Sequence, residues 1–178
     1  KCGMYGVTCF TKTVPRSVML GGRAALAAFL SGYLDTDGCV ALGSRTIVWV
    51  SASRELLEGC QHLLARLGAQ SSIAPGASGT HRLEVRDAVS LDLLSEILSP
   101  SHSAKAPALR VLRGAPRRSG SISDDRREFD RIISIEEIGL RPTFGIEVAG
   151  VHTHLTAGLI THNTQQVTRW LPLDRWNE

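Results

Sequence analysis

The sequence lacks several signatures, and each absence narrows the field. Its four cysteines, Cys2, Cys9, Cys39 and Cys60, contain no CxxC spacing. That argues against a zinc site or a disulfide framework and makes reduced intracellular thiols the default. There is no apolar run near the length of a membrane span and no signal peptide, so we expect a soluble, cytoplasmic protein without membrane contact. Charge of either sign is not in large excess. Lys and Arg number 20 against 17 Asp and Glu, a net +3, which suits a nucleic-acid partner without demanding one. The segment 39–99 contains no lysine. The chain opens at Lys1 rather than Met, which suggests a fragment or a processed product.

The 178 residues are enough for one ordinary domain or two small ones, and 43% are hydrophobic, which can fill a core. Residues 1–20 carry Gly, Thr and Pro with little periodicity and read as an entry segment. From Arg23 the spacing of Leu26, Phe29, Leu30, Tyr33 and Leu34 predicts a helix. A second stripe, Ala25, Ala28 and Gly32, is small enough to let another helix approach closely. The helix is expected to end at "DTDG", with Gly38 as a left-handed stop.

A unit then recurs. "CVAL" and "TIVWV" flank Gly43-Ser44 and read as a hairpin. The helix "SRELLEGCQHLLARLG" follows, with Ser53 as N-cap, Gly68 as stop and an apolar face of Leu56, Leu57, Cys60, Leu63, Leu64 and Leu67. "QSSIA" and "THRLEVR" flank "PGASG", and the helix "AVSLDLLSEILS" runs from Asp87 towards Pro100. The order from Arg23 is α, β, β, α, β, β, α. Along 80–86, Arg82, Glu84 and Arg86 face outward as solvent-facing strand residues, alternating with His81, Leu83 and Val85. Residues 101–127 are rich in Ser, Pro and Arg, with little apolar pattern after Leu112. They read as a flexible connection whose charges are either a solvated surface or a DNA-contacting arm. From Phe129 the pattern is β, through Ile132, Ile133, Ile135 and Ile138, then "TFGIEV" and "HTHLTAGLITHN". Beyond Asn163 the style changes, with Trp170 and Trp176 in "WLPLDRWNE".

Two stretches carry a resemblance. "FLSGYLDTDG", Phe29 to Gly38, resembles the LAGLIDADG motif of homing endonucleases through Leu30, Gly32, Leu34, Asp35, Asp37 and Gly38. The lead-in "KTVPRSVMLGG" resembles the K-x-(I/V)-P approach that precedes this motif within inteins. The resemblance covers roughly residues 10–112. It implies that two motif helices pack along their small residues, that Asp37, with Asp35 beside it, belongs to a carboxylate pair binding Mg, and that a curved sheet lies on double-stranded DNA. Arg45, Arg82 and Arg86 are then candidate DNA contacts. Only one motif copy is present, so the second carboxylate must come from another segment or chain, and cleavage by this chain alone is not expected.

"RIISIEEIGLRPTFGIEVAGVHTHLTAGLITHN", Arg131 to Asn163, is similar to the C-terminal splicing region of inteins. The matches are "GIEVAGVH", the Gly-Leu-Ile segment, and His162-Asn163 before a hydroxyl residue. The chemistry suits those residue types. The Asn163 side-chain amide can reach its own main-chain carbonyl and close a five-membered succinimide, breaking the bond to Thr164. An amide is a poor nucleophile, so a neighbouring donor is required. His162 is placed to polarise that carbonyl or protonate the departing amine, and His152 matches the histidine that activates Asn163. Thr164 would be the downstream nucleophile. Thr161 is a further hydrogen-bond candidate, and His154 is a weaker match. Gly145 departs from the polar residue often found at its position. No opening Cys or Ser with a T-x-x-H motif precedes the endonuclease-like unit, and Cys2 and Cys9 stand too close to that unit for the role.

The fold expectation is therefore α+β: a LAGLIDADG α-β-β-α-β-β-α unit over 21–112, a linker over 113–127, and an all-β C-terminal portion of a Hint splicing domain over 128–163. Residues 164–178 would be downstream host sequence. The functional expectation is the C-terminal fragment of an intein, an autocatalytic single-turnover splicing element. It would need an N-terminal intein part in cis or trans, and host exteins, but no cofactor for splicing. One alternative is a LAGLIDADG-type DNA-binding or homing endonuclease with vestigial splicing residues. Another is a plain α+β interaction domain.

Overall fold

The computed structural model describes residues 6–114, 133–139, 153–156 and 159–162. It divides into two compact units, Lys1–Glu128 and Phe129–Glu178. The first is α+β. A short helix, α1 (Arg16–Met19), is followed by α2 (Arg23–Asp37), β1 (Gly38–Ala41), β2 (Thr46–Ser51), α3 (Arg54–Leu67), β3 (Ser72–Pro75), β4 (His81–Val85), α4 (Ala88–Ile97) and α5 (Lys105–Leu112). The strands form one antiparallel sheet in the order β1-β2-β4-β3. From Arg23 to Ile97 the elements follow the order read from the sequence.

The strands are paired so that Ile47 faces Val85 and Trp49 faces Leu83. All four side chains are fully buried, so this is the face the helices cover. The apolar stripe of α3 fits it because Leu56, Leu57, Cys60, Leu63, Leu64 and Leu67 recur at helical spacing and are all buried. Each such side chain contributes about 1.5–3 kcal/mol by leaving water. The α3 ends match their signals. The Ser53 hydroxyl accepts from the Leu56 N–H, and Gly68 takes φ +92°. Asp87 caps α4 by accepting from Ser90 N–H at 2.8 Å. Trp49, wholly buried, donates its indole N–H to the Leu30 carbonyl at 3.4 Å.

Several expectations are corrected. Gly38 is not a left-handed stop. Its φ is −111° and ψ 164°, an extended residue that leads directly into β1. Glycine is needed there for space, since a Cβ would lie 2.6 Å from Leu34 Cδ1 and 2.7 Å from Leu34 Cα. The hairpin turn spans four residues, 42–45, rather than Gly43-Ser44 alone, and Arg45 in it takes φ +53°. The entry segment contains α1, and its Val14 enters the core. A Cβ on Gly59 would lie 2.7 Å from Val14 Cγ2, which explains a glycine in the middle of α3. The Ser- and Pro-rich stretch after Pro100 begins with a helix, α5, which buries Leu109 and Leu112. Its Pro107 stands in the first turn, where a proline is tolerated.

In the second unit, β5 (Thr153–Thr156) and β6 (Leu159–His162) pair antiparallel. Residues 133–139, read as β from their isoleucines, lie outside any strand. The "TFGIEV" strand, Gly145 and the tail from Asn163 lie outside the described residues. Among the described residues no helix is long and apolar enough to cross a membrane.

Candidate functional site

The first group of sequence-predicted residues gathers at the C-terminal end of α2. The two carboxylates there serve different neighbours. Asp35 accepts the backbone N–H of Ser101 at 2.8 Å and of His102 at 3.0 Å. Lys105 Nζ meanwhile donates to the carbonyls of Leu34 and Asp35, both at 2.8 Å. A cation on the last carbonyls of a helix offsets its negative end. Asp35 and Lys105 thus tie α2 to the start of α5. The two backbone donors, Ser101 first, hold the Asp35 carboxyl below its usual value.

Asp37 turns elsewhere. Its Oδ2 lies 3.7 Å from Lys12 Nζ, and half of its side chain is exposed. Lys12 also sits 5.9 Å above the centre of the Tyr33 ring, and its main-chain carbonyl accepts from the Ser53 hydroxyl at 2.6 Å. The Tyr33 hydroxyl donates to the Val50 carbonyl at 2.8 Å, and burial pushes its pKa up. Lys12 is a neighbour of Asp37 that sequence reasoning misses. It stands in the "KTVP" lead-in, outside the lysine-free segment 39–99. The lead-in crosses back to the end of α2, so its proximity to Asp37 is tertiary rather than local.

Among the described residues no three His, Cys, Asp or Glu side chains converge. A divalent cation at Asp37 would have one half-exposed carboxylate here and an ammonium beside it. Magnesium commonly takes one or two carboxylates and keeps water, so Asp37 fits as half of such a donor set. The other half would have to arrive along the exposed α2 face. There Ala25, Ala28 and Gly32 are exposed, and a Cβ on Gly32 would meet nothing within 4 Å.

The second group lies on the sheet face away from the helices. Arg82 is exposed on β4, while Arg86, read as part of the same strand, is exposed one residue past its end. Glu84 faces the same way, yet it is 5% exposed rather than solvent-facing. Arg82 Nη1 lies 3.4 Å from its Oε1 and Arg86 Nη2 2.5 Å from its Oε2. Arg45 is half-buried in the β1–β2 turn, at the sheet end where Ile47 pairs with Val85, just before Arg86.

The third group ends the chain. Thr153 pairs with His162 and His154 with Thr161 across the β5–β6 hairpin, which sets His162 at the last position of β6. His152, Asn163 and Thr164 lie outside the described residues.

Comparison with known proteins gives these groups a context. Residues 24–98 match the model of the LAGLIDADG-like domain, so the α2-to-α4 unit is similar to that domain. The chain is 37% identical over 108 residues to a probable translation initiation factor IF-2 of Thermococcus kodakarensis, covering 61% of this chain and 9% of that protein. It is 27% identical over 188 residues to the ribonucleoside-diphosphate reductase NrdEB subunit alpha of Bacillus subtilis, 92% of this chain and 17% of that one. It is 28% identical over 182 residues to a DNA polymerase of Thermococcus sp., 90% and 10%. The chain thus spans less than a fifth of each of these relatives.

Proposed function

We propose that this chain is the C-terminal part of an intein: the second half of a LAGLIDADG endonuclease, followed by the closing strands of a Hint splicing domain and a short stretch of host protein from Thr164. One observation carries this reading. The relatives are named for three unrelated activities, and the shared segment is only 9%, 17% and 10% of their lengths. A segment shared with proteins named for different activities behaves as an inserted element rather than as part of any named activity. The order of the motifs supports it, with a LAGLIDADG-like domain over 24–98 upstream of His162-Asn163-Thr164.

In this reading the Asn163 side-chain nitrogen attacks its own main-chain carbonyl carbon. The bond to the Thr164 nitrogen breaks, and the departing amine takes a proton. His162 supplies a donor at that carbonyl or amine, and His152 assists the attacking amide. The Thr164 hydroxyl first accepts the upstream host segment as an ester. After Asn163 cyclises, a shift from oxygen to the freed amine leaves a normal peptide bond. No cofactor is needed. The opening step belongs to an N-terminal part in cis or trans. The reaction is intracellular and happens once per chain.

The endonuclease unit supplies one carboxylate, Asp37, with Lys12 beside it. A partner unit docking along Ala25, Ala28 and Gly32 would bring the second. Magnesium held between them would stabilise the attacking and leaving oxygens of a DNA phosphodiester. Arg45, Arg82 and Arg86 would face the duplex. The test is to produce the chain with an N-terminal part carrying an opening Cys or Ser and a T-x-x-H motif. The expected products are a joined host protein and an excised segment ending at Asn163, read by intact mass. Two stable fragments with no joined product would defeat the splicing reading.

A further inference from the structure

Glu84 is the only buried carboxylate among the described residues, and it sits on the sheet face opposite the helices. Its cross-strand neighbours are Val48 on β2 and Ser72 on β3. Neither is cationic, so its charge is met by Arg82 on its own strand and by Arg86 just past the strand's end. Arg86 gives it two donors, Nε at 2.8 Å and Nη2 at 2.5 Å, and Arg82 stands 3.4 Å away. The Glu84 side chain is 5% exposed, while those of Arg82 and Arg86 remain 46% and 62% exposed.

An acid in the middle of a face meant for phosphates weakens that face electrostatically, so it must supply something else. What it supplies is geometry. Arg82 and Arg86 are four residues apart, about 13 Å along a strand at ~3.3 Å per residue. Left alone, their heads would separate and repel. Glu84 draws both to one carboxylate. Each guanidinium has five N–H donors, and most of these remain free above the sheet.

We propose that Glu84 is a positioning residue for DNA reading. It holds the Arg82 and Arg86 guanidinia together as a paired fork aimed at one or two adjacent base pairs of a duplex. Guanine, with N7 and O6 side by side in the major groove, is the acceptor that fits such a fork. The inference rests on the reading of this sheet as a DNA-facing surface.

The test uses the 178-residue chain. A duplex sequence is selected from a random library, and dissociation constants for the selected and a scrambled duplex are measured across salt. The wild type is expected to select a guanine-containing site. Glu84→Gln removes a negative charge, so it binds the scrambled duplex more tightly while its discrimination falls by roughly tenfold or more. A variant with both Arg82→Lys and Arg86→Lys keeps the charge and the salt slope but loses the planar fork. It should show the same loss of discrimination. Unchanged discrimination in folded Glu84→Gln would overturn the positioning role and leave the DNA reading standing. Failure of the wild type to distinguish the two duplexes would overturn both. If Glu84→Gln loses its circular-dichroism signature, the lysine variant decides, and unchanged discrimination there overturns the proposal.

Discussion

Lys12 Nζ lies 3.7 Å from Asp37 Oδ2, which joins the entry segment to the last residue of the motif helix. The pair is partly exposed, so its value to the fold is small, at most about 1 kcal/mol. Its value to chemistry would be larger, because it sets a proton-carrying cation beside the motif carboxylate that is not bound to the start of α5. Asp37→Asn should therefore leave the melting temperature nearly unchanged. In the complemented endonuclease it should abolish metal-dependent nicking. Lys12→Met, which keeps the stem over Tyr33, should lower the nicking rate without reducing duplex affinity to the same degree. Gel-based nicking assays beside thermal melts separate these effects. A large loss of stability in either variant would mean that the pair is structural.

The two glycines of the motif should respond in opposite directions. A Cβ at Gly38 lands 2.6 Å from Leu34 Cδ1, so Gly38→Ala should destabilise by about 1–3 kcal/mol through overpacking. Gly32 faces open space, and helix-interior alanine is better than glycine by roughly 0.5–1 kcal/mol. Gly32→Ala should stabilise the isolated chain in urea. The same methyl stands where a second helix would approach, so association with a complementary unit should weaken. Titration by analytical ultracentrifugation reads the second effect. Gain of stability with undiminished association would show that this face is not the docking face.

Asp35 makes an acid-side prediction. Its carboxyl is held below the ordinary 3.8 by the N–H groups of Ser101 and His102. A folded pKa below the unfolded one gives stability that is present above 3.8 and lost as pH falls through the folded value. Asp35→Asn should therefore lower the urea midpoint at pH 7. The gap to the wild type should close as the pH drops below 3.8. A gap that stays constant with pH would mean that the carboxylate's charge contributes nothing at the α2–α5 junction.

The thiols offer a check on the core. Cys60 is fully buried on the inner face of α3, and burial pushes its thiol up to about 12 from 9.0. Its neutral form is favoured in the fold, so its contribution is full below pH 9 and is lost as pH rises towards 12. Cys9 and Cys39 are exposed. Under native conditions at pH 8, iodoacetamide should modify Cys9 and Cys39 but spare Cys60 until urea opens the core, as read by peptide mass mapping. Early modification of Cys60 would contradict the packing of α3 on the sheet.

How much is legible in the sequence depends on how local the cause is. The ends and face of α3 are readable because Ser53, Gly68 and the leucine spacing act within one helix. The motif helix is readable to its last residue, but the role of Gly38 is not. Positive φ and a tight contact with Leu34 call for the same residue, and only coordinates distinguish them. Lys12 is visible as part of a lead-in, yet its role is hidden, since its partner Asp37 lies across a chain reversal. Strand alternation puts Glu84 on the outer face, where the structure has it. Its burial beside two arginines that pair with it is something alternation cannot express. Helix α5 is masked by a Ser- and Pro-rich context, although Pro107 falls in the turn that accepts it.

The last prediction concerns the bond between Asn163 and Thr164. Cyclisation needs a side-chain amide one methylene from Cα, so that the ring closing on the main-chain carbonyl has five members. Asn163→Ala removes the proposed nucleophile and should abolish release of the 164–178 segment. Asn163→Gln keeps the amide but demands a six-membered ring, and release should slow markedly because the favourable orientation is lost. His162→Ala leaves the nucleophile and removes the neighbouring donor. A general acid typically contributes about 10²–10⁴-fold, so release should slow within that range without being abolished. All three are read by intact mass over time, in the presence of the N-terminal part. Equal release from wild type and Asn163→Ala would place the break elsewhere and remove Asn163 from the chemistry.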